Sequence, residues 1–160
     1  TQHGNDFNSI EIAAKCLKYG IKGYFAGPIR GDYKLLDYID NKTTFYLNEI
    51  SEIEKLDYTR KARLYPILST WDVVFSQSVV ESWGQGTPVL VNRVGWFNEV
   101  LKNGENGFFY NDNFLETYEK SLDIKQIDCY NSAHEWSLDE VIKSYKQAFQ
   151  EIIQEWNYNK

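Results

Sequence analysis

The stretch from Glu81 to Tyr110 constrains the fold of this 160-residue chain more than any other part of its sequence. It begins with an acidic residue on a predicted helix, and a Gly-Thr-Pro turn at 86–88 then leads into the apolar strand Val89–Val91. Two further glycine-containing turns precede a second apolar strand at 107–110. Short apolar strands that alternate with helices are typical of βαβ units, whose strands pair in parallel.

The same alternation extends along the whole chain. The apolar periodicity predicts helices at 7–19, 32–39, 51–63, 79–84, 113–122 and 138–156, and a short turn or helix at 99–101. It predicts strands at 21–26, 44–47, 72–75, 89–91 and 107–110. Ser51-Glu-Ile-Glu54 and Ser137-Leu-Asp-Glu140 have the form of capping boxes and mark two helix starts. The sequence therefore predicts one α/β domain over residues 1–160 with a doubly wound, parallel, Rossmann-like sheet.

Composition excludes several classes of protein. The net charge of −6 argues against nucleic-acid binding, which needs a basic face. No apolar run approaches the ~20 residues of a membrane span. The isolated cysteines Cys16 and Cys129 predict free thiols in a reducing cytosol, hence a cytoplasmic protein. The chain lacks Met and opens on polar residues, so we expect the C-terminal half of a longer polypeptide, with a first strand and an N-terminal domain outside this sequence.

The order of motifs after residue 80 resembles a known family. Glu81 is followed by Gly86-Thr-Pro-Val89, Gly95-Trp-Phe-Asn-Glu99 and Gly104-Glu-Asn-Gly107. This order is similar to that of the C-terminal, nucleotide-sugar-binding half of GT-B glycosyltransferases, closest to the retaining GT4-like group (glycosyl transferases group 1). The resemblance implies that the full enzyme transfers a sugar from a UDP- or GDP-sugar to an acceptor with retention of configuration.

The resemblance also implies what the chain binds and what it lacks. The nucleotide sugar is a substrate, and no metal or other cofactor is expected. The acceptor would bind the N-terminal domain outside this sequence. We therefore assign no catalytic residue within these 160 residues, and we expect the isolated chain to be inactive.

Glu81 is the first candidate for donor binding. It lies one turn into the helix that follows the predicted strand at 72–75, where free N–H groups and the helix dipole favour an anion such as a diphosphate. A carboxylate at this position can accept hydrogen bonds from ribose hydroxyls, which is the role that the resemblance implies. The alternative is a solvated helix charge.

Three other segments are candidates for the donor site. The resemblance places the loop at 75–79 around the diphosphate and sugar, His3-Gly4 at the position of a Lys-Gly pair that neutralises the diphosphate, and Ile50 beside the base. The loop residues are Phe75, Ser76, Gln77, Ser78 and Val79. The alternatives are an ordinary helix cap, a terminal histidine and a connecting loop. Arg30, after the predicted strand at 21–26, either meets a phosphate or is exposed.

Two departures from the family pattern leave the activity open. Val73 occupies the position of an earlier glutamate that contacts the donor sugar, and the adjacent Asp72 would point to the other side of an extended strand. Trp96 replaces a glycine, and we expect it to pack against the core or a partner domain. A non-catalytic nucleotide-sugar-binding or assembly domain, or half of a sugar-nucleotide epimerase, therefore remain as alternatives.

Overall fold

The computed structural model describes residues 3–29, 33–111 and 113–158. Its helices are α1 (His3–Tyr19), α2 (Glu52–Lys61), α3 (Gln77–Gly84), α4 (Phe97–Val100), α5 (Phe114–Ser121), α6 (Gln126–His134) and α7 (Leu138–Tyr158), with a 3₁₀ helix at Tyr33–Tyr38. Its strands are β1 (Gly23–Phe25), β2 (Thr44–Tyr46), β3 (Tyr65–Ile67), β4 (Val89–Val91) and β5 (Gly107–Phe109).

All strand pairs in the described ranges are parallel. β1 pairs with β2, and β4 lies between β3 and β5 in a second sheet. Val89 aligns with Tyr65 on one side and with Gly107 on the other. The predicted α/β class with parallel strands is therefore confirmed.

The middle strand of the larger sheet is covered on both faces. Val89 and Val91 pack into one apolar cluster with Val79 and Trp83 of α3. Leu90 packs into a second cluster on the other face, with Ile12, Cys16, Leu68 and Phe114 as its other buried members. Successive strand side chains point to opposite faces, so this division follows from the strand geometry. The arrangement of helices on both faces of the strand is that of a doubly wound sheet.

Local sequence signals explain several element boundaries. Ser51 begins α2 with the predicted capping box, in which its hydroxyl and the Glu54 carboxylate satisfy each other's backbone N–H groups. Gly20 takes a left-handed φ of 66° just after α1 ends. Asn113 caps α5 by accepting a hydrogen bond from the Glu116 N–H. α1 begins earlier than predicted, at His3.

The prediction of a strand at 72–75 is wrong. The strand that precedes α3 is β3 at Tyr65–Ile67. Residues 72–75 form a loop in which Val74 is 92% exposed. The Val73 carbonyl accepts a hydrogen bond from the Trp96 N–H (2.7 Å) instead of joining a strand ladder. β3 was not predicted because it contains Pro66, and proline removes a hydrogen-bond donor from a strand ladder.

Two helices also differ from expectation. The segment predicted as an α-helix at 32–39 is the shorter 3₁₀ helix Tyr33–Tyr38. α6 was not predicted, because its buried positions are the small residues Cys129 and Ser132 rather than a stripe of large apolar side chains. The long C-terminal helix is confirmed and runs to Tyr158. No helix in the described part of the chain is long and apolar enough to span a membrane.

Candidate functional site

The carboxyl ends of the parallel strands define the edge where a ligand is expected in such sheets. The segments 26–29, 47–50 and 68–76 follow β1, β2 and β3 at this edge. The last of these segments leads into α3, whose N-terminus lies at the same edge. The predicted residues Ile50, Ser76 and Ser78 belong to these segments or to the first turn of α3.

One large cleft of about 1160 Å³ opens onto this edge. Two continuous runs of residues line it, 21–29 from β1 and its flanks and 61–69 from β3 and its flanks. Ile50, Ser76 and Ser78 also line the cleft. Its volume exceeds the 300–1,000 Å³ typical of small-molecule pockets, so the cleft has room for more than a nucleotide sugar.

Glu81 lies on α3 as predicted, and both of its carboxylate oxygens are engaged. Lys55 Nζ of α2 lies 2.8 Å from Glu81 Oε2, and Gln77 Nε2 donates to Oε1 at 2.7 Å. The side chains of Glu81 and Lys55 are 21% and 31% exposed. The interpretation of Glu81 as a solvated helix charge therefore does not describe its surroundings, since it forms a partly buried ion pair between two helices.

Lys55 carries a second ion pair and was missed by sequence reasoning. Its Nζ lies 2.6 Å from Glu52 Oε1 as well as 2.8 Å from Glu81. The hydrogen bond to Glu52 first, and then that to Glu81, raise the pKa of Lys55, while burial acts in the opposite direction. Lys55 also lines the cleft. No sequence motif links residues 26 positions apart, so only the packing of α2 beside α3 could reveal this pair.

The start of α3 offers backbone donors. Ser76 is the N-cap residue, and its side chain makes no capping hydrogen bond. The Ser76 carbonyl accepts from the N–H groups of Val79 and Val80. The N–H groups before these, those of Gln77 and Ser78, have no intrahelical acceptor, which makes the start of the helix suited to an anion. The expected cap by the Ser76 hydroxyl is therefore not formed.

The loop residues predicted around the donor do not all face the cleft. Val79 is 1% exposed and packs in the core, while the Phe75 ring packs against Trp96 (5.1 Å between centroids) and Trp136 (5.7 Å). Gln77 contacts Glu81 through its side chain. The structure thus brings Ser76 and Ser78 to the cleft, joins Gln77 to Glu81, neither of which lines the cleft, and uses the other two side chains for packing.

The loop that carries Val73 is held against the turn that begins α4. Asp72 Oδ1 accepts a hydrogen bond from the Gly95 N–H at 3.1 Å. A Cβ on Gly95 would lie 2.4 Å from the Val73 carbonyl oxygen, so glycine is required for this approach. Trp96 is 7% exposed and belongs to the core, which confirms its expected packing role. Asp72 is therefore fixed by a backbone donor in a loop, and the expected extended-strand orientation does not apply.

The N-terminal and remaining candidates are less informative. The backbone of His3 and Gly4 lies in the first turn of α1. Arg30 lies outside the described residues. His134 is exposed at the end of α6. Within the described ranges, no three His, Cys, Asp or Glu side chains converge as metal ligands.

Comparison with solved structures identifies the fold of the chain. No family model and no curated protein matches the chain. Among solved structures, AviGT4, a glycosyltransferase involved in avilamycin A biosynthesis, matches with a TM-score of 0.74 and 17% identity, over 96% of this chain and 49% of that chain. The GtfA/B complex matches with a TM-score of 0.65 and 15% identity, over 92% and 33%. Anabaena HepE in complex with UDP matches with a TM-score of 0.61 and 19% identity, over 96% and 45%.

These likenesses establish the fold. The chain has the Rossmann-like α/β fold of one half of GT-B glycosyltransferases. It spans between a third and a half of the length of these three neighbours.

Proposed function

We propose that this chain is the nucleotide-sugar-binding domain of a glycosyltransferase. The donor is a UDP- or GDP-sugar, and the complete enzyme transfers the sugar to an acceptor with retention of configuration, as the resemblance to the GT4-like group implies. The acceptor binds a further domain of the complete, cytoplasmic enzyme. This chain alone binds the donor without turning it over.

The single observation that carries this proposal is the setting of Glu81. Its carboxylate is one turn into α3, partly buried, and paired at 2.8 Å with Lys55, which lines the cleft, although Glu81 itself does not. An ionised carboxylate has about four lone-pair sites, and Lys55 and Gln77 occupy one on each oxygen. One acceptor position remains on each oxygen, which matches the two hydroxyls of a ribose.

The start of α3 supplies the complementary chemistry for the phosphates. Its first N–H groups and the positive end of the helix dipole favour the diphosphate and the negative charge that develops when the sugar leaves. This stabilisation requires no metal ion in our proposal. HepE, which shares the fold, has been crystallised with UDP and with UDP-glucose, and this supports the choice of ligand class.

Calorimetric titration tests the proposal. We expect UDP or GDP to bind the chain at millimolar concentration or below, and Glu81→Gln to weaken binding at least tenfold, since a hydrogen bond to a charged group contributes roughly 1.5–3 kcal/mol. Glu135→Gln is the matched control, because Glu135 also pairs with a lysine from another segment but is exposed. Absence of binding to any nucleotide sugar at millimolar concentration would contradict the proposed function.

A binding domain without transferase activity is the second candidate, favoured by one observation. Val73 occupies the position of the family's sugar-contacting glutamate, and its backbone is held by Trp96, so the loop presents no carboxylate there. Assay of the complete protein with donor alone and with donor plus acceptors separates the candidates. Transfer excludes a binding-only domain, and conversion of the donor without acceptor identifies an epimerase.

For the domain organisation, we propose that a further parallel strand belongs between β1 and β3, in the part of the cleft that these strands line, and that the donor binds at the carboxyl edge of the completed sheet. Successive side chains of a strand point to opposite faces of the sheet, so a cleft on one face would be lined by every second residue. This cleft is lined by every residue of β1 and β3, so it lies along the backbone edges of the two strands. Gly23 N–H and the Phe25 carbonyl bond towards β2, which leaves the Tyr24 backbone on the cleft side. Tyr65 N–H bonds towards β4, so Pro66 faces the cleft and offers an acceptor but no donor.

The position of α1 favours a strand that directly precedes it. Strand–helix–strand crossovers between parallel strands are right-handed in nearly all proteins, and α1 leads into β1. A longer polypeptide with the natural sequence before Thr1 tests this by amide exchange measured with NMR. We expect the Tyr24 amide to become protected, while Leu47 N–H, already bonded to the Phe25 carbonyl (2.8 Å), stays unchanged. Equal Tyr24 exchange in both polypeptides would contradict the added strand.

A further inference from the structure

Lys55 is held in a defined place between two helices. Its backbone N–H donates to the Ser51 carbonyl (2.9 Å) inside the capping box that begins α2. At the other end of α2, the Thr87 hydroxyl donates to the Thr59 carbonyl at 2.6 Å, and both of these threonines are buried. The Gly-Thr-Pro turn therefore fixes α2 relative to α3, and with it the distance that the Lys55 side chain spans.

The ammonium of Lys55 has two carboxylate partners of different character. Glu52 lies one turn earlier on α2 and is 64% exposed, whereas Glu81 is 21% exposed. The contact with Glu52 restrains Lys55 from its own helix, and the contact with Glu81 crosses to α3. Gln77, one turn before Glu81, holds the other oxygen at 2.7 Å. The Glu81 carboxylate is thus fixed from two directions, which sets the rotation of its plane.

A fixed carboxylate plane matters for a ligand with two neighbouring hydroxyls. Binding both hydroxyls requires both oxygens to present a lone pair at once, and a mobile side chain loses conformational entropy when it is ordered for this. We propose that Lys55 is a positioning residue of the donor site, which holds Glu81 so that its two oxygens accept hydrogen bonds from the 2′ and 3′ hydroxyls of a ribose. This inference rests on the proposed function and assigns to α2 a part in reading the sugar of the nucleotide.

A purely structural role predicts a different outcome. A bridge that only joins α2 to α3 would contribute to the stability of the fold and would affect all ligands alike. A positioning role instead changes the preference between a ligand that has both hydroxyls and one that lacks a hydroxyl. The ratio of the two dissociation constants is therefore the informative quantity.

The test compares UDP with 2′-deoxy-UDP by calorimetry, or the guanine pair where GDP is the ligand that binds. We expect the chain to bind the ribonucleotide about tenfold more tightly, since the deoxy ligand leaves one Glu81 acceptor unpaired. In Lys55→Met, we expect weaker UDP binding, little change for 2′-deoxy-UDP, and a ratio near one. Lys55→Arg retains a cation that can reach both carboxylates and should restore most of the preference.

Lys102→Met is the matched control. Lys102 joins two segments through Glu135 at 3.0 Å, as Lys55 does through Glu81, but it does not line the cleft. Its substitution should leave the ratio unchanged, and circular dichroism should show each variant folded. An unchanged ratio in Lys55→Met, or an equal loss for both ligands, would overturn the positioning role alone. Failure of the unsubstituted chain to bind either nucleotide would overturn the proposed function and this inference with it.

Discussion

The two sheets of the molecule differ in how far their strands are covered. β4 has strands on both edges and apolar clusters on both faces, and Val89, Leu90 and Val91 are each 0% exposed. β1 has one strand partner within the described residues, and its Tyr24 is 49% exposed. Both sheets are parallel and both contain three-residue strands, so neither pairing direction nor length explains the difference. The number of sides on which each strand is covered explains the difference in burial.

This difference is informative about the candidate site, which lies where the two sheets meet. Glu81 and the start of α3 belong to the well-packed side, since Val79 and Trp83 anchor α3 in the core. The loop with Ile50 and the segment 26–29 follow the less covered strands. We infer that, within this chain, the side proposed to bind the phosphates and the ribose is the more rigid one, whereas β1 would gain a second covered edge from the further strand proposed between β1 and β3. The following substitutions probe that contrast.

Trp83→Ala should have the largest effect. Trp83 is 0% exposed and donates a hydrogen bond from Nε1 to the Asn106 carbonyl at 2.7 Å. Removing a buried tryptophan costs about 3–5 kcal/mol of unfolding free energy, which is a large part of the stability of a single domain. Urea unfolding followed by circular dichroism measures the change.

Trp71→Ala is the control for Trp83→Ala. Trp71 has the same side chain but is 64% exposed in the loop after β3. We expect its substitution to change the urea midpoint little. Comparable losses for the two variants would show that the sheet around β4 is not the more strongly packed part of the molecule.

Gly107→Ala should have the next largest effect, again on the well-packed side. A Cβ at this position would lie 2.3 Å from the Val89 carbonyl oxygen, so β5 would have to move away from β4. Forced overpacking of this kind costs about 1–3 kcal/mol. Gly84→Ala is the control, because a Cβ there meets nothing within 4 Å. A Gly107→Ala variant as stable as Gly84→Ala would contradict the close packing of β4 on β5.

The sequence predicted both strands of the smaller sheet but missed β3 of the larger, well-packed sheet, for a physical reason. The strand at 89–91 and the capping box at Ser51 have signals that lie within a few consecutive residues. β3 carries Pro66, whereas the loop at 72–75 carries an apolar run that resembles a buried strand. Local pattern could not decide between these two segments, because the decision depends on which of them pairs with β4.

The candidate site likewise contains one residue that local sequence could predict and one that it could not. Glu81 could be placed from its distance to the Gly-Thr-Pro turn, which is a local feature. Its partner Lys55 is 26 residues earlier, and its role depends on how α2 packs beside α3. The burial of Cys129 in α6 likewise results from tertiary packing around small side chains. Contacts between distant segments were therefore the part that could not be predicted.

Tyr24→Ala should have a smaller effect than either core substitution. The Tyr24 ring stacks on Phe45 with centroids 5.1 Å apart and lies 5.3 Å from the Tyr58 ring. Such aromatic pairs contribute roughly 0.5–1.5 kcal/mol each, and the ring is half exposed, so we expect a loss near the lower end of that range. Urea unfolding again provides the measurement. A loss as large as that of Trp83→Ala would contradict the contrast between the two sheets.

The reactivity of the two cysteines measures how easily the two sides of the molecule open, without any substitution. Cys16 lies on α1 beside Gly23 of β1, in the cluster that also contains Leu90 of β4, whereas Cys129 packs in the cluster around Trp83, and both are buried. Burial raises the pKa of Cys16 to about 11 and that of Cys129 to about 12. At pH 8 a thiol with a pKa of about 11 is ionised to roughly one part in a thousand, against about a quarter for an exposed cysteine.

We therefore expect neither thiol to react readily with iodoacetamide in the native protein, and both to react after full unfolding. At urea concentrations below the midpoint, Cys16 should be alkylated before Cys129, because α1 packs against β1, which has one strand partner in the described residues, and segments with fewer covered sides open at lower free energy. Mass spectrometry of the two cysteine peptides over time measures both rates. Alkylation of both residues at one rate would show that the molecule opens as a single unit. Faster labelling of Cys129 would reverse the assignment of the rigid side to α3 and β4, on which the placement of Glu81 depends.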